Sequence, residues 1–206
     1  MTESIPTYAK PTYAKLAAHF VDKKITELRD YRNDADVRAT LAKLRRGIGD
    51  IPGANPDIWA ETLAELPEEL LSKNNAPTVG ELAIHTALTL FALHQQGSDI
   101  KMDCKHQDKC TLGRAIRKLA DQKGEGGSDA IKRRFNTTVT SESIEEFSHH
   151  LRSLVQLLKT EGIALDYKQL TLELYWFQFP DMRDRLRLQW GQDYYRYSNI
   201  TSNEDA

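Results

Sequence analysis

Cysteine is scarce: Cys104 and Cys110 are the only two in 206 residues, too few for the disulfide framework of a small secreted domain. Long apolar runs are missing as well. The most apolar stretch, residues 82–93, is interrupted by His85, Thr86 and Thr89. It falls short of the roughly 20 residues that span a bilayer, so no membrane role is expected. The opening MTESIPTYAK has no basic-then-apolar pattern of a secretory signal, and a reducing cytoplasm is the expected location. Neither charge sign dominates. With 28 Lys and Arg against 30 Asp and Glu, the formal net charge is -2. Global attraction therefore cannot steer the chain to a polyanion, and any such role has to come from local clustering. Catalytic signatures are missing too: there is no G-x-x-x-x-G-K-[ST] phosphate loop, dinucleotide glycine fingerprint, G-x-S-x-G elbow or paired nuclease-type carboxylates. These absences favour binding or assembly over catalysis. No catalytic residue, metal or cofactor is assigned.

What is present is helical periodicity. No run of four or more residues alternates cleanly between apolar and polar, whereas steps of three and four recur throughout. The expected fold is all-α, a helical bundle with the possibility of two packed helical units. A first helix is expected from Pro11 to Tyr31 and a second from Asp34 or Asp36 to Arg46, stopping at Gly47. Asn55 with Pro56 starts a short acidic helix. Thr78 and Glu81 form a capping box opening an apolar, centrally placed helix. Ile144, Phe147, Leu151, Leu154, Val155 and Leu158 make the strongest amphipathic stripe, behind a second capping box of Ser143 and Glu146. Asp166 caps a further helix, which Pro180 breaks before a last one. The polar segment 95–111 reads as a mobile or functional loop, and QKGEGGSD as a flexible linker. The expected organisation is a flexible segment 1–11, helical units 12–123 and 128–197, and a disordered tail 198–206.

Charge is segregated along this pattern. Between Asp57 and Glu81, six carboxylates face only Lys73; between Lys101 and Arg134, ten Lys and Arg side chains face five carboxylates. Lys132, Arg133 and Arg134 are consecutive in AIKRRF and span about 200° of a helix. Arg114, Arg117 and Lys118 share one helix face; Arg152 and Lys159 lie seven apart, and Arg183 and Arg187 four apart. Such spacings suit successive phosphates without reading bases. Arg45 and Arg46 sit in a last helical turn, where the helix dipole already favours cations.

Two further patterns have competing readings. Cys104, His106 and Cys110, with His94 upstream, supply four metal-type ligands, but their spacing matches no usual zinc site; free thiols in a reducing compartment are the plainer reading. His149 and His150 point about 100° apart on a helix and read as surface residues. Tyr175, Trp176, Phe177, Phe179 and Trp190 could stack bases, but aromatics at helical spacing more often form core.

The runs LGRAIRKLA, IKRRFN, HHLRSLVQLLKTEGIALDYKQL and LYWFQFPDMRDRLRLQWGQDYYRY, in that order, resemble the small subunit of the type I-E CRISPR interference complex, the CasB family of Cascade. LAKLRRG, ALTLFALHQQ and HQDK add to the likeness, which covers roughly residues 35–197. The resemblance implies an all-helical, non-catalytic protein of antiviral defense. It implies as partners the large and backbone subunits of Cascade, a second copy of the chain, and the R-loop of crRNA and target DNA including the displaced strand. DNA or RNA would be held non-specifically by a basic surface. Carried over by position, the basic residues are Arg45, Arg46, Arg114, Arg133, Arg134, Arg152, Arg183, Arg185 and Arg187. The rival reading is a helical scaffold whose basic clusters dock partner subunits and touch no nucleic acid.

Overall fold

A computed structural model describes residues 11–201. The expected flexible segment 1–11 lies outside them except for Pro11, as does the end of the expected tail, 202–206. Among the described residues the fold is all-α, with no strand and one isolated bridge pairing His106 with Leu165. None of the helices there is long and apolar enough to cross a membrane.

The order is α1 (Pro11–Asp30), α2 (Asp34–Arg46), a 3₁₀ turn (Pro56–Ile58), α3 (Trp59–Thr62), a second 3₁₀ turn (Glu68–Leu70) and α4 (Val79–His94). Then follow α5 (Leu112–Gln122), α6 (Gly124–Val139), α7 (Ile144–Thr160), α8 (Tyr167–Phe177) and α9 (Pro180–Thr201). Caps lie where short polar side chains precede apolar periodicity. Asn33, Thr78, Ser143 and Asp166 each accept a hydrogen bond from a first-turn backbone N–H. The Thr78–Glu81 capping box closes in both directions. At Ser143 only half of it forms, because the Glu146 carboxylate accepts from the Glu142 N–H instead.

α4 is the axis of the molecule. From Gly80 to His94 nearly every residue is buried, and α1, α2, α7 and α8 pack around it. α5, α6 and α9 complete the other side, where Phe147, Phe177 and Trp190 stack with ring centroids 4.4 to 6.1 Å apart. Tyr175, Phe177 and Trp190 are buried, while Trp176 and Phe179 pack against the core. These aromatics are core and not a stacking platform. The buried side chains of the two expected helical units belong to one continuous cluster.

Two loop expectations are corrected. QKGEGGSD is not a flexible linker: α5 ends at Gln122 and α6 begins at Gly124, whose φ of +66° supplies the left-handed joint. Lys123 pairs there with Glu161 at the end of α7. Segment 95–111 is pinned, not mobile. Its backbone exchanges hydrogen bonds with the α7–α8 connection (Leu165 N–H to the Lys105 carbonyl, 3.0 Å; Asp166 N–H to the Cys110 carbonyl, 2.8 Å). The expected tail begins at 198, and α9 continues to Thr201.

Candidate nucleic-acid interface

α2 and α7 flank α4, and each brings a cation to the Gln95–Gln96 turn at the C-terminal end of α4. Arg38 and Arg45 of α2 line a cleft with Gln95 and Gln96. From α7, the Lys159 ammonium donates to the Gln96 side chain (3.0 Å). Two turns back on α7, exposed Arg152 borders a second groove of about 500 Å³ between α7 and the turn after α2. Both positions follow from the helix repeat. The apolar stripe of α7 is buried against α4, α5 and α6, which turns Arg152 to solvent.

The remaining basic residues sort by what already holds them. Arg183 donates from Nε to the Phe177 carbonyl (3.1 Å) and from Nη1 to Glu142 (3.1 Å). Arg187 donates to the Val139 and Ser141 carbonyls and to Glu142 (2.7 Å) and Asp184 (2.9 Å). These two guanidinium groups clasp α9 to the α6–α7 turn. On α5, Arg114 reaches the Lys109 carbonyl (3.1 Å), and Lys118 approaches the Cys110 sulfur (4.0 Å). Arg117 pairs with Asp121 (2.9 Å) and lies 5.6 Å above the Tyr194 ring. Arg46 lies 3.6 Å from Asp57, part of the acidic segment. Lys132 sits 5.5 Å above the Tyr195 ring of α9, and that phenol raises its pKa. Arg45, Arg133, Arg134 and Arg152 differ from all of these. Among the described residues, no side-chain hydrogen bond or ion pair engages their guanidinium groups. Arg133 and Arg134 project from α6 into solvent, with the apolar Ile131 and Phe135 beside them turned into the core.

The metal-type ligands do not converge. Cys110 donates its thiol to the Ala164 carbonyl (3.0 Å), and His94 Nδ1 meets the Tyr167 hydroxyl (3.1 Å). Burial pushes both thiols above their ordinary pKa and His94 down to about 4. The thiolate that a metal needs is thus disfavoured. Among the described residues, only Asp22, His106 and Asp108 bring three metal-type atoms close together. His106 is already committed there. Its Nδ1 accepts from the Tyr167 N–H (3.0 Å), so Nε2 carries the proton that faces Asp22 (3.2 Å). Lys168 holds the other Asp22 oxygen at 2.7 Å. The set is a clasp joining α1, the 95–111 segment and α8. The His149 and His150 rings lie 5.4 Å apart at 74° and do not converge either.

This helical arrangement recurs in known structures. The sequence model of the CRISPR-associated protein Cse2 family matches residues 40–195. The chain belongs to that family. Its members are the small subunit of type I-E Cascade, and other Cascade subunits are therefore its partners. The crystal structure of CasB from Thermobifida fusca is similar at 31% identity and a TM-score of 0.70, covering 87% of this chain and 97% of that one. A Cse2-family CRISPR-associated protein from Thermus thermophilus shares the fold, at 24% identity and a TM-score of 0.62, over 87% and 97% of the two chains. Comparison with curated proteins finds no match.

Sequence reading missed Arg38 and the groove. Arg38 stands seven residues before Arg45 on the exposed side of α2, a spacing visible in the sequence. His85 was visible only as an interruption of an apolar run.

Proposed function

We propose that this Cse2-family subunit is non-catalytic and holds single-stranded nucleic acid by its backbone. The held strand is foremost the DNA strand displaced when crRNA pairs with its target, and the subunit acts beside a second copy of itself in the cytoplasm. The observation that supports this is a group of arginines, Arg45, Arg133, Arg134 and Arg152 among them, whose guanidinium groups no protein group engages among the described residues. Arg185 on α9 and Arg38 on α2 are likewise exposed and unengaged there, whereas the remaining candidate cations are held by internal contacts. Arginine suits the task because its planar fork meets a phosphate bidentately. Exchange of a DNA duplex for an RNA–DNA heteroduplex is nearly balanced in free energy, so a few backbone contacts tip it.

The test is a salt titration of single-stranded DNA binding, wild type beside Arg133→Glu/Arg134→Glu. Four phosphate contacts give a log-log slope of about -2.8, and losing two of them flattens it to about -1.4. An unchanged affinity and slope in the variant removes α6 from the strand path. If the variant keeps its DNA affinity and no longer joins Cascade, the scaffold reading takes its place.

A further inference from the structure

The groove between α7 and the turn after α2 has a composition that a phosphate clamp alone does not use. Its walls are apolar, formed by Ile48, Ile51, Pro52, Leu82 and Ile144, with Ile51 at the lip 67% exposed. Its floor includes His85, only 3% exposed, and Thr86. His85 Nε2 lies 2.8 Å from the Gly47 carbonyl oxygen, and because a carbonyl can only accept, the ring proton sits on Nε2. Nδ1 is therefore a lone-pair acceptor. It is buried without a hydrogen-bond partner, and a buried polar atom left unmatched is costly. The rim carries both signs. Arg152 pairs with no carboxylate although Asp50 and Glu145 line the same groove, and His149 presents an exposed ring there.

A nucleotide answers each of these features, with an anionic phosphate, a flat apolar ring and an amino donor on one edge. We propose that the groove takes one unstacked base of the bound strand and favours bases that carry an exocyclic amino group. The phosphate meets Arg152 and the ring lies between Ile51 and His149. The amino group serves the acceptors of floor and rim, namely His85 Nδ1, Asp50 and Glu145. Cytosine, adenine and guanine present such a donor, whereas thymine presents carbonyls in its place. An aliphatic side chain from a protein partner would fill the walls and leave both Arg152 and His85 unanswered. Histidine is an ordinary stacking surface for splayed-out bases, and apolar side chains pack against the face of an extruded base. The inference rests on the strand-holding reading above.

The experiment compares three strands of equal length at one low salt concentration: oligodeoxycytidine, oligothymidine and an abasic phosphodiester. The proteins are wild type, Ser148→Trp, which fills the groove from a half-buried position on α7, and Ile51→Ser, which removes the exposed lip. Wild type is expected to bind the cytosine strand about five- to tenfold more tightly than the abasic one, with thymine between them. Both variants bring the cytosine strand down to the abasic level while abasic binding stays as in wild type. Equal affinity of wild type for cytosine and abasic strands overturns the proposal, as does a base preference that survives both substitutions. Unchanged strand preference together with loss of incorporation into Cascade assigns the groove to a protein side chain and also overturns it. The strand-holding reading fails on a different readout, because abasic binding reports the backbone alone; its absence, or its indifference to salt, removes that reading and the base groove with it.

Discussion

Glu173 and His94 are buried titratable side chains whose effects on stability oppose each other. Glu173 of α8 is 1% exposed; its Oε1 accepts from Gln169 and Gln189 (3.1 Å each), and its Oε2 has no partner. Burial pushes its pKa from 4.5 up to about 7. The unfolded chain releases this proton near pH 4.5 and the folded chain only near 7, so stability falls as pH rises through that window. His94 does the reverse. Burial lowers its pKa from 6.5 to about 4, the unfolded chain takes up a proton that the folded chain refuses, and stability falls as pH drops from 6.5 to 4. Each effect is about 3 kcal/mol at full extent, and the two overlap with opposite slopes between about pH 4.5 and 6.5. Burial lowers the pKa of His85 as well, which adds to the histidine slope. Wild type is therefore expected to gain some stability with rising pH there, and Glu173→Gln to gain it more steeply once the opposing glutamate slope is removed. Urea unfolding midpoints at pH 5 and 6.5 measure this. A variant whose midpoints move no differently from wild type would show that Glu173 is not held protonated in the fold.

Gly113 is an element-scale requirement written as one letter in LGRA. A Cβ at this position would lie 2.9 Å from the Tyr194 backbone nitrogen and closer still to the Trp190 carbonyl oxygen. α5 and α9 thus touch backbone to backbone here, and the neighbour cannot yield as a flexible side chain does. Gly113→Ala is expected to destabilise by about 1–3 kcal/mol or more through overpacking, despite alanine's better helix propensity. A thermal midpoint unchanged or raised in the variant would mean that the helices separate at little cost. Reading elements from sequence succeeded where the signal is local. The caps at Asn33, Thr78, Ser143 and Asp166 and the α7 stripe are set within one or two turns. It failed where the partner is distant. QKGEGGSD has the composition of a linker, but it is held by the left-handed Gly124 and by Glu161, 38 residues from Lys123. Segment 95–111 owes its order to hydrogen bonds with residues 164–167, such as Cys110 to Ala164, 54 positions away. The candidate site divides in the same manner. Arginine positions are legible at helical spacing, but the carboxylate that occupies Arg183 and Arg187 comes from Glu142, more than 40 residues earlier.

Across the whole molecule a net charge of -2 conceals two populations of arginine, and they are expected to separate when stability and binding are measured on the same variants. Arg183 and Arg187 both join α9 to Glu142 of the α6–α7 turn, and they also donate to backbone carbonyls, Arg183 to Phe177 of α8 and Arg187 to Val139 and Ser141. Truncating Arg187 leaves the Val139 and Ser141 carbonyls without their donor, a loss of about 1–2 kcal/mol for partly exposed groups. Salt weakens the ion pairs to Glu142 but not the carbonyl contacts. Arg133, Arg134 and Arg152 contribute no such contacts, so Arg→Gln at these positions is expected to leave the unfolding midpoint within about 0.5 kcal/mol of wild type. Each is expected to flatten the salt dependence of single-strand binding by about 0.7. Arg187→Gln should do the opposite, lowering the midpoint and keeping the slope. Measuring denaturant midpoint and binding slope for these four variants places each arginine on one axis or the other. An Arg187 variant that loses slope without losing stability would move α9 into the strand path. Arg133 and Arg134 variants that lose stability would mean that these exposed cations serve the fold, leaving the AIKRRF cluster without a ligand.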